Sequence, residues 1–429
     1  MKKRWGRVIS LLCVGMMVIA SVTGCGEKEE EAASQAGFIP SLDTEKEVSL
    51  EIAGFMGNFE ALDQVVNDFN EYYPNVSVNY EQNNLAGLTE YLKNNDYVDI
   101  FMTSIVSTDT STPEGQEVLE YCLDLSKEDI ATETIDPQLV ESCTVDGQLV
   151  GIPLAKIMCG MVVNKTLLEE EGLKMPQNYA EFLKVCETLK EKGYTPIQSS
   201  RYHACSDMIL PMAMVTLGND EELTAKASTG DKSYADALLP VYERLEELVA
   251  KGYISKEVNE TYPDDNYDGA ILTFFEGKVP FWIANTESVS GMKKRESKSE
   301  TFSANPFEYE FVNVPLGDKG VYDYEEPWYG FSVNRNSEEI DYAVEFMKFL
   351  VTEDELNKMA EIKGMPSVTL HSSDSRFEKA LNPEKCEGRY VYNGVLGASV
   401  TSAIADAGNH IGQGDIQTAE EAVEEIKNK

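Results

Sequence analysis

The chain has 429 residues, with 75 acidic and 36 basic side chains and a formal net charge of −39. A surface this negative repels phosphate backbones and anionic lipid head groups, which excludes nucleic-acid binding and membrane attachment through a basic surface. With 42% apolar and 9% aromatic residues, the chain can bury large cores, so it is expected to be globular, with about two or three domains.

The N-terminus reads as an address. Lys2, Lys3, Arg4 and Arg7 precede an apolar stretch from Val8 to Ala20, which ends in Val22-Thr23-Gly24-Cys25. Small residues before a Cys, directly after such a stretch, look like a bacterial lipobox. Residues 1–24 are then a lipoprotein signal peptide, and Cys25 becomes the lipidated first residue. Residues 25–47, rich in Glu, Lys, Ala, Ser and Gly, make a flexible linker. Loss of the leader, with four basic and no acidic residues, takes the net charge from −39 to −43. The expected location is the extracellular face of the cytoplasmic membrane, held by acyl chains. Six further cysteines are scattered without a CxxC pair, which favours buried free thiols over a disulfide framework.

In chain order, Val48-Ser-Leu-Glu-Ile-Ala alternates as a half-buried strand does. Phe59 to Tyr73 has helical spacing (Leu62, Val65, Val66, Phe69) and stops at Pro74. Val76 to Tyr80 alternates again. A helix over Leu85–Asn94 leads to the apolar Val98-Asp-Ile-Phe-Met. This rhythm means βαβ units and a largely parallel sheet, with ligands beyond the carboxyl ends of strands. Phe55 to Asn58 and Thr103-Ser104 occupy such ends. Asp146-Gly147 is a hairpin turn, and Lys156 to Val163 a strand. Asn178 caps a helix with Glu181 at the capping-box position. Further helices are expected over Ala235–Ala250, Ala270–Glu276, Ile340–Leu350, Glu353–Glu361 and Ala419–Ile426. Strands are expected over Val279–Ala284, Phe311–Pro315 and Tyr329–Val333.

The order of motifs resembles one family throughout. Phe69-Asn-Glu-Tyr-Tyr-Pro-Asn-Val-Ser-Val, Asp99-Ile-Phe, Asp146-Gly-Gln-Leu-Val-Gly-Ile-Pro, Val163-Asn-Lys, Gly193-Tyr-Thr-Pro-Ile, Phe275-Glu-Gly-Lys, Ala343-Val-Glu-Phe-Met-Lys-Phe-Leu and Gly364-Met-Pro run collinearly. The chain is similar to the family 1 extracellular solute-binding proteins, the substrate-binding lipoproteins of carbohydrate ABC importers. The resemblance implies an α/β, two-lobe periplasmic-binding-protein-like fold (type II), with a ligand cleft between lobes joined by crossover segments. It puts residues 48–155 plus 285–325 in the N-terminal lobe and 156–284 plus 326–429 in the C-terminal lobe. It also implies a carbohydrate ligand, an ABC permease partner and hinge closure. A monomer is expected.

Candidate ligand contacts follow from strand ends and from the resemblance. Trp328 and Tyr329 lie in Glu325-Glu-Pro-Trp-Tyr-Gly, read as a loop entering a strand, where an exposed aromatic suits stacking on a sugar. Trp282 lies in Phe281-Trp-Ile-Ala, where burial is at least as good a reading. Asn285 and Glu287 stand where the family often has a further aromatic, which favours polar contacts there. Arg201 and Tyr202 follow the Tyr-Thr-Pro-Ile strand; the resemblance makes Tyr202 a stacking position, and Arg201 suits bidentate contact. Phe55, Asn58 and Glu60 flank the end of the first strand, and Lys156 follows Gly-Ile-Pro-Leu-Ala. Each has a plainer alternative: Glu60 favours a helix N-terminus, and Lys156 can simply be solvated.

Asp264, Asn266 and Asp268 partly match a Ca²⁺ loop, but Phe275 stands where its Glu belongs. An acidic helix cap is the preferred reading, with no cofactor. The three His residues form no paired spacing, and no nucleophile motif occurs. A glycoside-active enzyme with a distant carboxylate pair remains the alternative, as does the same fold binding a peptide or another non-sugar solute.

Overall fold

The computed structural model describes residues 38–57, 59–83, 87–103, 113–199, 205–254, 267–372 and 374–429. Two sheets organise the chain. The first runs β2 (Val76–Gln82), β1 (Val48–Gly54), β3 (Ile100–Thr103), β12 (Gly330–Val333), β6 (Ile152–Pro153). In β1 the alternation holds: Val48, Leu50 and Ile52 are buried and Ser49 is exposed. Helix Glu60–Tyr72 lays Leu62, Val65 and Phe69 on this sheet. Helices Ile340–Leu350 and Glu353–Lys363 pack beside it, and Phe69 meets Phe346 edge-on at 5.2 Å between ring centroids.

The second sheet runs β13 (Cys386–Val391), β11 (Val321–Pro327), β7 (Lys156–Asn164), β9 (Phe281–Asn285), β8 (Ile197–Ser199), and β10 (Tyr309–Val312) also pairs with β7. It is covered on both faces, so β7 is a nearly continuous apolar run. The period of two sorts its residues. Cys159, Met161, Val163, Phe281 and Ile283 join the core under helices Cys205–Gly218, Leu239–Ala250, Ala398–Gln413 and Ala419–Asn428. Met158, Val162, Trp282 and Ala284 join an aromatic core with Phe274, Phe275, Phe302 and Phe377.

Two crossovers run side by side. Leu154-Ala155 connects β6 to β7, and Trp328-Tyr329 connects β11 to β12. The Trp328 N–H donates to the Ala155 carbonyl at 2.8 Å, and the Leu154 N–H to the Tyr329 carbonyl at 3.1 Å. With the flanking pairs Pro327↔Lys156 and Gly330↔Pro153, the result is one continuous antiparallel ribbon between the sheets. Residues 364–385 make a third passage.

Several expectations change here. The parallel pairs are β1–β2, β1–β3, β8–β9 and β11–β13; the other pairs are antiparallel, so the sheets are mixed. Sheet membership of the late segments reverses the expected boundaries. β10 and β11 belong to the second sheet, whereas β12 and the two helices after it join the first, and β13 returns to the second. The cause is β11. Glu325-Glu-Pro reads as part of a loop, yet it ends a strand in which Asp323 and Glu325 are buried beside internal cations.

The Asp146-Gly147 hairpin forms between β4 (Thr144–Val145) and β5 (Gln148–Leu149), with both turn residues at positive φ. Asn178 accepts the Glu181 N–H as its helix cap. The six cysteines from Cys122 onward stand as thiols, and all but Cys386 are buried. Among the described residues no helix is long and apolar enough to cross a membrane.

Candidate ligand site at the crossover ribbon

The turn after β1 is pinned by Tyr80, whose hydroxyl donates to the Met56 carbonyl at 3.0 Å and accepts its N–H at 2.9 Å. That places Phe55 against Tyr329, with ring centroids 4.2 Å apart. Phe59 stands edge-on to Trp328 at 6.4 Å, and Trp328 meets Tyr329 at 5.3 Å. The indole N–H donates to Glu287 Oε1 at 3.1 Å. Glu287 is carried by the short helix Thr286–Val289, which Asn285 caps by accepting the Ser288 N–H at 2.9 Å. The Lys363 ammonium sits 4.8 Å from the Trp328 ring centroid. Residues from the first sheet, the ribbon and the second sheet thus meet around one indole.

Behind the ribbon, acidic and hydroxyl groups gather. Glu326, near the end of β11, accepts the Tyr324 hydroxyl at 2.9 Å. Asp207, in the first turn of helix Cys205–Gly218, accepts the Cys159 thiol at 3.5 Å. Burial, and then the charges of Asp207 and Glu287, push the Glu326 carboxyl up to about 7. Burial beside Asp207 and Glu326 raises the Cys159 thiol, so it is not a nucleophile.

The Glu326 shift has a sign. Its folded pKa of about 7 lies above the ordinary 4.5, so between those values the folded protein holds a proton the unfolded chain has released. Its contribution to stability therefore falls as pH rises through that window. Glu326→Gln is expected to remove the slope, gaining roughly 3 kcal/mol on the wild type between pH 4.5 and pH 8. Urea unfolding at both pH values measures it, and parallel curves for the two proteins contradict the assignment.

The other expected contacts separate. Lys156 does not reach a cleft: its ammonium lies 2.8 Å from Glu325 Oε2, and both side chains are buried. Trp282 is 1% exposed inside the aromatic core and leaves the candidate set. Thr103 is buried at the end of β3, opposite Gly330. Glu60 is exposed and pairs with Lys294 at 2.7 Å. Trp328 is not the exposed platform that its loop context suggests; it is 3% exposed. Asp268 of the partial Ca²⁺ motif is taken by Arg295, 2.6 Å away, and Lys298. Among the described residues no cluster of three metal-ligating side chains occurs. Cys25, Asn58, Ser104, Arg201, Tyr202, Asp264 and Asn266 lie outside the described residues.

Sequence reasoning missed Phe59, Asp207, Glu326 and Lys363. One signal existed for Asp207: it is a lone carboxylate leading the apolar run Met208 to Leu217. A cavity of about 330 Å³ lies elsewhere, along helix Glu353–Lys363 by Asn357, Glu361 and Arg376.

The sequence profile of the bacterial extracellular solute-binding proteins matches residues 54–356. The chain belongs to this family. The profile runs from the last residue of β1 to the start of helix Glu353–Lys363, so it includes the whole ribbon. This solute-binding protein is 20% identical over 240 residues to the multiple sugar-binding protein of Streptococcus mutans, 52% of each chain, so it spans about half the length of that curated relative. Solved structures share the fold over most of the chain. The apo-form of RafE from Streptococcus pneumoniae matches at TM-score 0.69 and 17% identity, over 91% of this chain and 98% of its own. A family 1 extracellular solute-binding protein from Bifidobacterium longum subsp. infantis matches at 0.67 and 16%, over 89% and 98%. A Bacillus licheniformis sugar transporter in complex with stachyose matches at 0.62 and 18%, over 89% and 98%. These likenesses confirm the periplasmic-binding-protein-like fold. The family is one of binding proteins rather than enzymes.

Proposed function

We propose that this solute-binding protein captures a carbohydrate outside the cell and delivers it to an ABC permease, while a lipid on Cys25 holds it to the membrane. The observation that carries the reading is the group Phe55, Trp328 and Tyr329 at the ribbon, with Glu287 on the indole edge. Aromatic planes stack on the C–H faces of sugars, and carboxylates accept hydroxyl protons. Glu287, Glu326 and Asp207 supply such acceptors from three separate elements. The sugar-binding relatives support the same ligand class. No residue has a catalytic role in this reading, and the protein acts as a monomer.

A thermal-shift screen over mono- and oligosaccharides, peptides and amino acids tests it. A ligand at 100 times its dissociation constant adds about 2.7 kcal/mol to stability. A sugar is expected to raise the melting temperature without being consumed. A shift with peptides alone defeats the carbohydrate assignment, and product formation from a sugar favours a glycoside-active enzyme instead.

A further inference from the structure

We propose that Lys363 is a gate on the stacking face of Trp328, held closed by its own ammonium and displaced by the arriving ligand. The proposal rests on the reading of Trp328 as a sugar platform. At 3% exposure, Trp328 offers no open face in this conformation, so something must leave before a ligand can stack. Four described side chains contact it. Phe59 and Tyr329 meet it edge-on as packed rings, at 6.4 and 5.3 Å. Glu287 binds the N–H at the edge of the indole. Among these described neighbours Lys363 is the cation over the ring, its ammonium 4.8 Å from the centroid, which is cation–π range. It is also the neighbour with a long flexible stem and a head that water receives readily.

The base of this gate is fixed. Gly364 ends helix Glu353–Lys363 at φ +78°, and a Cβ there would lie 2.6 Å from the Ser290 carbonyl oxygen. The helix end is therefore pressed onto the C-terminal cap of helix Thr286–Val289, the element that carries Glu287. The backbone at 363–364 is held while the side chain can swing. Burial lowers the Lys363 ammonium, the Glu287 charge opposes that, and Lys294 adds to it. Glu287 thus holds the indole edge directly and attracts the gate from a distance. When a sugar takes the ring face, the ammonium moves outward into water.

Acrylamide quenching of tryptophan fluorescence in the mature chain from Cys25 onward tests the gate without any ligand. Its other tryptophan, Trp282, contributes equally in every variant, so differences report Trp328. Lys363→Ala is expected to raise quenching, and Lys363→Arg, which keeps the cation over the ring, is expected to restore the wild-type value. In sugar titration, Lys363→Ala is expected to tighten binding by about twofold to thirtyfold, the range a lost cation–π contact allows. Quenching of Lys363→Ala equal to wild type overturns the gate, and so does weaker sugar binding, which makes Lys363 a plain contact. If quenching rises but no sugar binds wild type or variant, the carbohydrate reading fails and the gate stands.

Discussion

Glu325→Gln is expected to lower unfolding stability by about 3–5 kcal/mol at pH 7, because it leaves buried cations without their counter-charge. Glu325 lies 2.8 Å from the Lys156 ammonium and 3.0 Å from Arg389 Nε. Arg389 reaches on to Asp136 at 2.5 Å. Asp136 caps helix Pro137–Ser142, which packs on both β6 and β13, so the ion chain ties the two sheets together. Asp323 stands beside it, its carboxyl pushed well up by burial and by the charge of Glu325. Burial works against ionised Glu325, but Lys156 and Arg389 outweigh it and hold the carboxyl down to about 2. Such a depressed group stabilises fully above its ordinary 4.5 and loses that contribution as pH falls through about 2. Urea titration of Glu325→Gln measures the loss. A change under about 1 kcal/mol rejects the view that this pair is a strong internal tie. Adding Lys156→Met is expected to recover part of the loss, since one uncompensated cation goes with it.

Trp328→Ala is expected to lower stability by about 3–5 kcal/mol, the range for deleting a buried aromatic side chain, and to abolish sugar binding. Trp328→Phe separates the two effects. It keeps a ring at the platform and loses the N–H bond to Glu287, so about 1–2 kcal/mol of stability is expected to go while binding survives in weakened form. Calorimetric titration with a sugar identified in the thermal-shift screen decides the matter: an unchanged dissociation constant in Trp328→Ala removes the ribbon aromatics from the site.

The parts of the fold legible in the sequence are those where local chemistry and tertiary burial agree. β1 alternates because one face is wet, and helix Glu60–Tyr72 shows its stripe because its other side is solvated. The helix at 205–218 is buried almost all round, with Pro211 inside it, so it has no stripe to read. Helix Ala398–Gln413 buries Val400, Ala403, Ile404, Ala407 and Ile411 at helical spacing, but Gly408 and Gly412 within it look like breaks. β11 hides for an electrostatic reason: its inward carboxylates look solvated until Lys156 and Arg389 are seen beside them.

The candidate site divides in the same way. Phe55, Glu287, Trp328 and Tyr329 come together because strand-end positions converge on the space between the sheets. Lys156 and Trp282 follow the same strands but point to the other side, a distinction set by one residue of register. Lys363 comes from a helix distant in sequence, and nothing local marks it as a neighbour of the indole; Asp207, beside Cys159, shows locally only as a lone carboxylate before an apolar run.

The paired crossover has a mechanical consequence. Two hydrogen-bonded strands passing together between the sheets bend easily across their common plane and resist twisting about their length. A rotation of one sheet against the other therefore has to bend this ribbon. Trp328 and Tyr329 lie on the ribbon, whereas Phe55 follows β1 of the first sheet and Asp207 opens a helix packed on the second, so bending at the ribbon changes the distance between Phe55 and Asp207 more than the distance between the two ribbon aromatics.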